Sequence, residues 1–275
     1  MDHFGFNYHL IITMKERIIK IINSLVFKAS RTRLGLHVVQ GMINAAMEQK
    51  RNVTHKNTEI ALTVPNWLNN YRVDSFSSKE PETLEWIDTI EQGTIVWDIG
   101  ANVGLYCIYA AKSRGCRVYA FEPSVFNLEI LARNIFINNL QQLITIVPIA
   151  LSDKISENLF QMSSTQWGGA LSTFGEGIDQ NGDPMKEVFE YKTMGISMID
   201  AVNMLNIPMP DHIKMDVDGI EHLILKGGTE VLKNVKSILI ELDLPYRILR
   251  LCGGDLGFTS SLTYDFELYS AAQEK

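Results

Sequence analysis

The sequence predicts an α/β fold: a doubly wound, mostly parallel sheet with helices on both faces, preceded by an N-terminal helical extension. Three observations carry that prediction. From Thr94 onward, short apolar runs rich in β-branched and aromatic residues alternate with stretches of helical periodicity, the pattern of a parallel sheet buried on both faces. One such run ends in an aspartate and turns through glycines into a helix, Val96-Trp97-Asp98-Ile99-Gly100-Ala101-Asn102-Val103-Gly104. Apolar residues make up 46% of the 275, enough to fill one large core with a smaller unit attached.

The first 50 residues read as mostly helical. Ile18, Ile19, Ile22, Leu25 and Val26 recur at helical spacing, with Lys15, Arg17, Lys20, Lys28, Arg31 and Arg33 around them. Such a stripe packs on the main domain, on a second copy to give a homo-oligomer, or on an anionic membrane surface; packing is its commoner use. The polar stretch 51–57 reads as a linker, dividing an extension over 1–57 from a domain over 58–275. Ile60–Val64 is a strand candidate stopped by Pro65. Pro81–Ile90 is a helix opened by proline, with Leu84, Ile87 and Ile90 on one face.

The alternating part gives strands at Ile95–Ile99, Arg117–Phe121, Ile144–Pro148, His212–Asp216 and Ser237–Leu242. Helices fall at Leu105–Ser113, Val125–Asn138, Ile199–Leu205, Ile220–Lys226 and Thr229–Asn234. Between Asp153 and Met198 the alternation breaks into a glycine-rich stretch, read as an inserted loop or hairpin at the ligand end of the sheet.

Composition narrows the function. A net charge of -7 and a pI near 5.4 give no electrostatic help toward nucleic acid. Cys107, Cys116 and Cys252 form no CxxC or zinc spacing, so a reducing, cytoplasmic setting is expected. The short Leu10-Ile11-Ile12 run is followed at once by charges, and no stretch approaches the roughly 18 apolar residues of a membrane span.

The loop after Asp98 has Gly100 and Gly104 with Asn102 between them. It lacks the G-x-G-x-x-G of a dinucleotide site, and an aspartate at its base opposes a pyrophosphate. A carboxylate there suits a ligand with a positive end, such as S-adenosylmethionine, which carries an ammonium and a sulfonium and no phosphate. Glu122 closes the second strand, 24 residues on, where it suits ribose hydroxyls. Ser152 and Asp153 follow the third strand, where an adenine amino group would need an acceptor. An NAD-linked oxidoreductase and a non-catalytic cofactor-binding scaffold stand as alternatives.

At these residues the sequence resembles the FkbM-type S-adenosylmethionine-dependent methyltransferases. The matching motifs are DIGANVGLY (98–106), AFEP (120–123), LARNIFINN (131–139), IALSD (149–153) and IKMDVDGIEHLILKGG (213–228), with FSSKEPETLEWI (76–87) upstream. The resemblance covers roughly residues 75 to 243. It implies a class I methyltransferase fold, S-adenosyl-L-methionine as cofactor, and O-methylation of a small-molecule or glycan acceptor such as a sugar or polyketide hydroxyl. Asp98, Gly100, Asn102 and Gly104 would shape the cofactor loop, Glu122 would take the ribose, and Ser152 and Asp153 the adenine side. After Asp243, Thr263–Ser270 is the candidate for a closing edge strand.

Methyl transfer to an alcohol needs positioning and a proton acceptor. Asp216 at the tip of the fourth strand, Lys214 on the same strand face, and Asp218 and Glu221 at the start of the next helix are the catalytic candidates. Asp218-x-x-Glu221 also has the look of a capping arrangement. Asp216, Glu241 and Asp243 form one candidate Mg²⁺ set, although no spacing demands a metal. Trp167 suits either stacking on an acceptor or anchoring the insertion.

Overall fold

The computed structural model describes residues 17–177 and 184–242, together with the backbone of strand 247–252. The chain divides into two compact units, one ending at Gln49 and one beginning at Lys50. The first contains helix α1 (residues 17–29) and α2 (Arg33–Glu48). Thr32 starts α2 by accepting a hydrogen bond from Gly35 N at 3.0 Å, a side-chain N-cap. Ile18, Ile19, Ile22 and Leu25 are exposed, so the two helices do not bury that stripe between themselves. Among the described residues no helix is long and apolar enough to cross a membrane.

The second unit opens with an antiparallel hairpin, β1 (Lys50–His55) and β2 (Thr58–Thr63). Residues 51–57 are therefore not a linker. Their polar side chains belong to an exposed strand and its turn, which polarity alone does not separate from a linker. Helix α3 (Trp67–Ser75), capped by Asn66, precedes α4 (Pro81–Thr89).

The main sheet is built from β3 (Ile95–Ile99), β4 (Arg117–Phe121), β5 (Ile144–Val147), β10 (His212–Met215), β11 (Ser237–Leu242) and β12 (Arg247–Cys252). Their order is β12-β11-β10-β3-β4-β5, with every pairing parallel except β11 with β12. The antiparallel edge is thus supplied by 247–252, nearer than expected. The candidate Thr263–Ser270 lies outside the described residues.

Because successive strand residues point to opposite faces, the sheet separates two cores. Val96, Val118, Ala120 and Leu239 pack with α4, α5 (Leu105–Arg114), α6 (Val125–Ile137) and the β2 residues Ile60 and Leu62. Trp97, Ile99, Phe121, Ile213, Met215, Ile238 and Ile240 pack on the other face, with α7 (Met198–Leu205), α8 (Glu221–Gly227) and α9 (Thr229–Leu232).

The insertion is more than a hairpin. β6 (Ala150–Ser152), β7 (Ser156–Met162), β8 (Ser172–Phe174) and β9 (Phe189–Ser197) form a second sheet in the order β6-β9-β7-β8. Phe160, Met162, Phe174 and Ile196 carry it into the second core.

Two asparagines, Asn134 in α6 and Asn138 at its C-cap, pin the hairpin to that helix. Asn134 accepts from Thr63 N at 2.7 Å and donates to Val103 O at 2.8 Å. Asn138 pairs with both backbone groups of Ala61 at 2.9 and 2.7 Å. Asn134→Ala leaves a buried donor and a buried acceptor unmatched and should cost about 2–4 kcal/mol. Urea unfolding checks this; a loss below about 0.5 kcal/mol would contradict it.

Candidate functional site

Chain order reverses between β3 and β10, and ligands of open α/β sheets bind beyond the strand ends at such a point. Asp98 and Lys214 stand in register across it, 2% and 4% exposed. Lys214 Nζ donates to Asp216 Oδ2 at 3.0 Å, lies 3.8 Å from Asp98 Oδ1, and sits 5.1 Å from the centre of the Tyr106 ring. Among the described residues neither Asp98 oxygen has a side-chain or backbone hydrogen-bond partner. Burial pushes Asp98 up to about 6 against the pull of Lys214. Burial acts to lower the Lys214 ammonium, but Asp216 and Asp98 outweigh it and hold it above its ordinary value. For Asp216, burial acts upward and the charge and hydrogen bond of Lys214 prevail, holding it low.

The glycine loop passes over this group. Gly100 has φ +80, and a Cβ on it would lie 1.8 Å from Asp216 O, so only glycine fits there. The loop spends four of its backbone N–H groups internally. Gly100 N and Ala101 N both donate to Phe121 O at 3.0 Å, Gly104 N donates to Ala101 O at 2.8 Å, and Asn102 N donates to Glu122 Oε2 at 2.8 Å. Gly104, left-handed at φ +90, starts α5. Glu122, at the tip of β4, accepts a second backbone bond on Oε1, from Ser124 N at 2.7 Å. Burial nevertheless pushes it up to about 7.

One cavity gathers much of this. Of the expected cofactor residues, Gly100, Asn102 and Glu122 line it; of the expected catalytic residues, Lys214, Asp216 and Asp218 do. Asp98 and Gly104 stand behind that lining. Ser152, Asp153 and Glu221 are not brought to it. Asp153 is turned away by an ion pair with Lys226 of α8 at 2.9 Å, and Ile149, Ala150 and Leu151 provide the wall instead. Asp218 accepts from Ser172 N at 2.8 Å, tying β8 to the β10–α8 turn, and α8 begins at Ile220 without a side-chain cap. Glu221 accepts from Gly219 N at 3.3 Å.

The opposite wall comes from residues to which the sequence reading gave no role: Arg72, Ser75 and Phe76 around the end of α3, and Lys79 and Glu80 before α4. Asn66, an asparagine just ahead of Trp67, is the signal that would have marked α3. Lys79 pairs with Glu80 at 2.6 Å. Carboxylate oxygens of Glu80, Asp216 and Glu241 lie within 4.8 Å of one another. Two of the three already have a lysine, through Lys79 and Lys214, so the cluster is largely neutralised by protein cations. Glu241 Oε2 is buried without a partner. Burial, then Asp216 and Glu80, push it up to about 7. Asp243, the third member of the metal set considered from sequence, lies outside the described residues.

The turn Trp167-Gly168-Gly169 is held to this site by side-chain amides. Asn66 and Asn69 donate to Trp167 O at 2.9 and 2.8 Å, Arg72 donates to Gly168 O, and Asn102 and Asn127 donate to Gly169 O at 2.9 and 3.1 Å. Trp167 is not part of the cavity lining, which favours its anchoring role.

A buried carboxyl whose native value is raised stabilises the fold while protonated. For Glu122 that advantage is complete below about 4.5 and is lost as pH rises through about 7. The stability of the wild type relative to Glu122→Gln should therefore be greatest near the acid end and shrink through neutrality, as read by urea unfolding across pH. A difference that grows with pH would contradict the burial of this group.

A family model described as the methyltransferase FkbM domain matches residues 98–253. The hexuronic acid methyltransferase AglP of Haloferax volcanii is 28% identical over 159 residues, 57% of this chain and 59% of that protein. A serine–tRNA ligase of Salinibacter ruber is 38% identical over 80 residues, 29% of this chain and 16% of that one. The chain thus spans less than two thirds of the length of these relatives. A solved S-adenosylmethionine-dependent methyltransferase from Agrobacterium tumefaciens is 10% identical with a TM-score of 0.37, covering 70% of this chain and 51% of that one, too distant a likeness to add to the fold. The family match starts at Asp98 on the tip of β3 and takes in Glu122, Asp216 and Glu241, acidic residues at strand ends beside the cavity, with Lys214 between them; this chain belongs to the FkbM methyltransferase family.

Proposed function

We propose that this protein binds S-adenosylmethionine at the switch point and transfers its methyl group to a hydroxyl oxygen of a sugar or glycan. The observation that carries the reading is the state of the polar groups around the cavity. Arg72 Nε, Asn102 Oδ1 and Glu241 Oε2 are buried without partners among the described residues, and all three residues line it. Buried polar atoms of that kind call for a ligand. The acidic lining residues Glu80, Glu122, Asp216, Asp218 and Glu241 outnumber the basic Arg72, Lys79 and Lys214, which suits a ligand of net positive charge. A pyrophosphate is poorly served, because the loop amides it would need are bonded to Phe121, Ala101 and Glu122. That opposes the NAD-linked alternative.

When bound, the cofactor supplies a methyl carbon activated by its sulfonium. The protein's part is positioning and proton removal. Each Glu122 oxygen accepts one backbone N–H and retains capacity for ribose hydroxyls. Ile149, Ala150 and Leu151 offer an apolar wall to a flat base. Asp216 stays charged under Lys214 and complements positive charge. Glu241, without a cation of its own at hydrogen-bond distance and raised to about 7, is matched to accept the acceptor's proton near neutral pH. The hexuronic acid named for the Haloferax relative supports a sugar acceptor.

Incubation with methyl-labelled S-adenosylmethionine and a panel of neutral and uronic sugar glycosides tests the reaction. The label should appear on sugar in alkali-stable ether linkage; alkali-labile ester would place it on a carboxylate and contradict the hydroxyl reading. With an acceptor found, Glu241→Gln should lower kcat by about 10²-fold or more while leaving cofactor affinity within a few-fold. The wild-type rate should climb as pH rises through about 7. A flat profile, or an unimpaired variant, would remove Glu241 from proton transfer.

A further inference from the structure

We propose that Arg72 forms the subsite for the carboxylate at the amino-acid end of the cofactor, so that α3 fixes that end of the ligand. This rests on reading the cavity as a site for S-adenosylmethionine. That ligand carries one carboxylate, which must be matched by a cation or by free amides on entering a largely acidic cavity. The glycine loop offers few amides, since Gly100, Ala101, Asn102 and Gly104 all donate within the protein. Three cations line the cavity. Lys79 is paired with Glu80 at 2.6 Å. Lys214 is held by Asp216 and Asp98 at 3.0 and 3.8 Å. Arg72 differs from both. One of its terminal nitrogens donates to a neutral carbonyl, Gly168 O, and its Nε is buried with no partner among the described residues.

The side chain is also fixed in place before any ligand arrives. Gly168, left-handed at φ +84, donates its own N–H to Asn127 Oδ1 at 3.1 Å, and Asn66 and Asn69 clamp the preceding carbonyl. A planar guanidinium held this way presents remaining donors to a carboxylate with little further loss of freedom. Burial draws Arg72 below its ordinary value, and the charges acting on it the other way are those of Asp216, Glu80, Tyr106 and Glu122. It therefore lies within the field of the strand-tip carboxylates. A zwitterionic end fits that arrangement, with its ammonium toward the carboxylates and its carboxylate on the guanidinium.

Calorimetric titration with two probes separates this role from a structural one. S-adenosylhomocysteine carries the amino-acid end, and 5′-methylthioadenosine lacks it. Arg72→Ala should weaken S-adenosylhomocysteine by about tenfold to a hundredfold and leave 5′-methylthioadenosine within about twofold. Arg72→Lys, keeping the charge but not the fork, should recover part of the loss. An equal loss for both probes would mean that Arg72 only holds the Gly168 turn, and no loss for either would remove it from the site; each result overturns the subsite alone. If the wild type binds neither probe, the cofactor reading fails and the subsite with it.

Discussion

The site depends on one buried cation. Lys214 sits on the fourth parallel strand with almost no exposure, between Asp98 on the neighbouring strand and Asp216 two residues further on. Two carboxylates and an ammonium at the end of a hydrophobic sheet are costly to desolvate and persist only when they satisfy one another. Removing Lys214 would strand Asp98, whose oxygens have no hydrogen-bond partner among the described residues. The trio also fixes geometry, because Asp98 leads directly into the glycine loop and the loop's first glycine packs against the backbone of Asp216. The register of β3 on β10, the path of the loop and the placement of an acidic strand tip are consequences of one neutralised cluster.

A second layer borders the cavity, built from four side-chain amides and one guanidinium. The Trp167–Gly169 turn receives side-chain bonds from Asn66, Asn69 and Arg72 on one side and from Asn102 and Asn127 on the other. Asn102 belongs to the glycine loop and Arg72 to the opposite wall, so the inserted sheet is joined to both. The neutral amide bonds specify a position without adding charge to a cavity that is already acidic.

Much of the fold was legible in the sequence because its strands are buried on both faces. Runs such as Ile95–Ile99 and Ser237–Leu242 are mostly apolar, interrupted only by Asp98, Ser237 and Glu241, and their observed bounds coincide with those read from the sequence. Where a segment is half-exposed the signal fades. The stretch 51–57 reads as a linker because the outward side chains of strand Lys50–His55 and its turn are polar, and α3 escapes the sequence reading because Trp67–Ser75 lacks a clear apolar stripe. The candidate site divides along the same line. Residues at strand tips are placed by the alternation of strand and helix, which is how Glu122, Lys214 and Asp216 come to line the cavity, with Asp98 behind them. Arg72 and Glu80 reach the cavity through tertiary packing of a segment upstream of Asp98, which no local pattern records. Asp153 lies off the lining for the converse reason, since Lys226 of a later helix pairs with it.

The account's central claim is that this cavity is made for S-adenosylmethionine. Calorimetric titration of the purified protein with S-adenosylmethionine and, in parallel, with NAD tests it most directly. Saturable binding of S-adenosylmethionine alone is the predicted result. Binding of NAD alone, or of neither ligand, would contradict it.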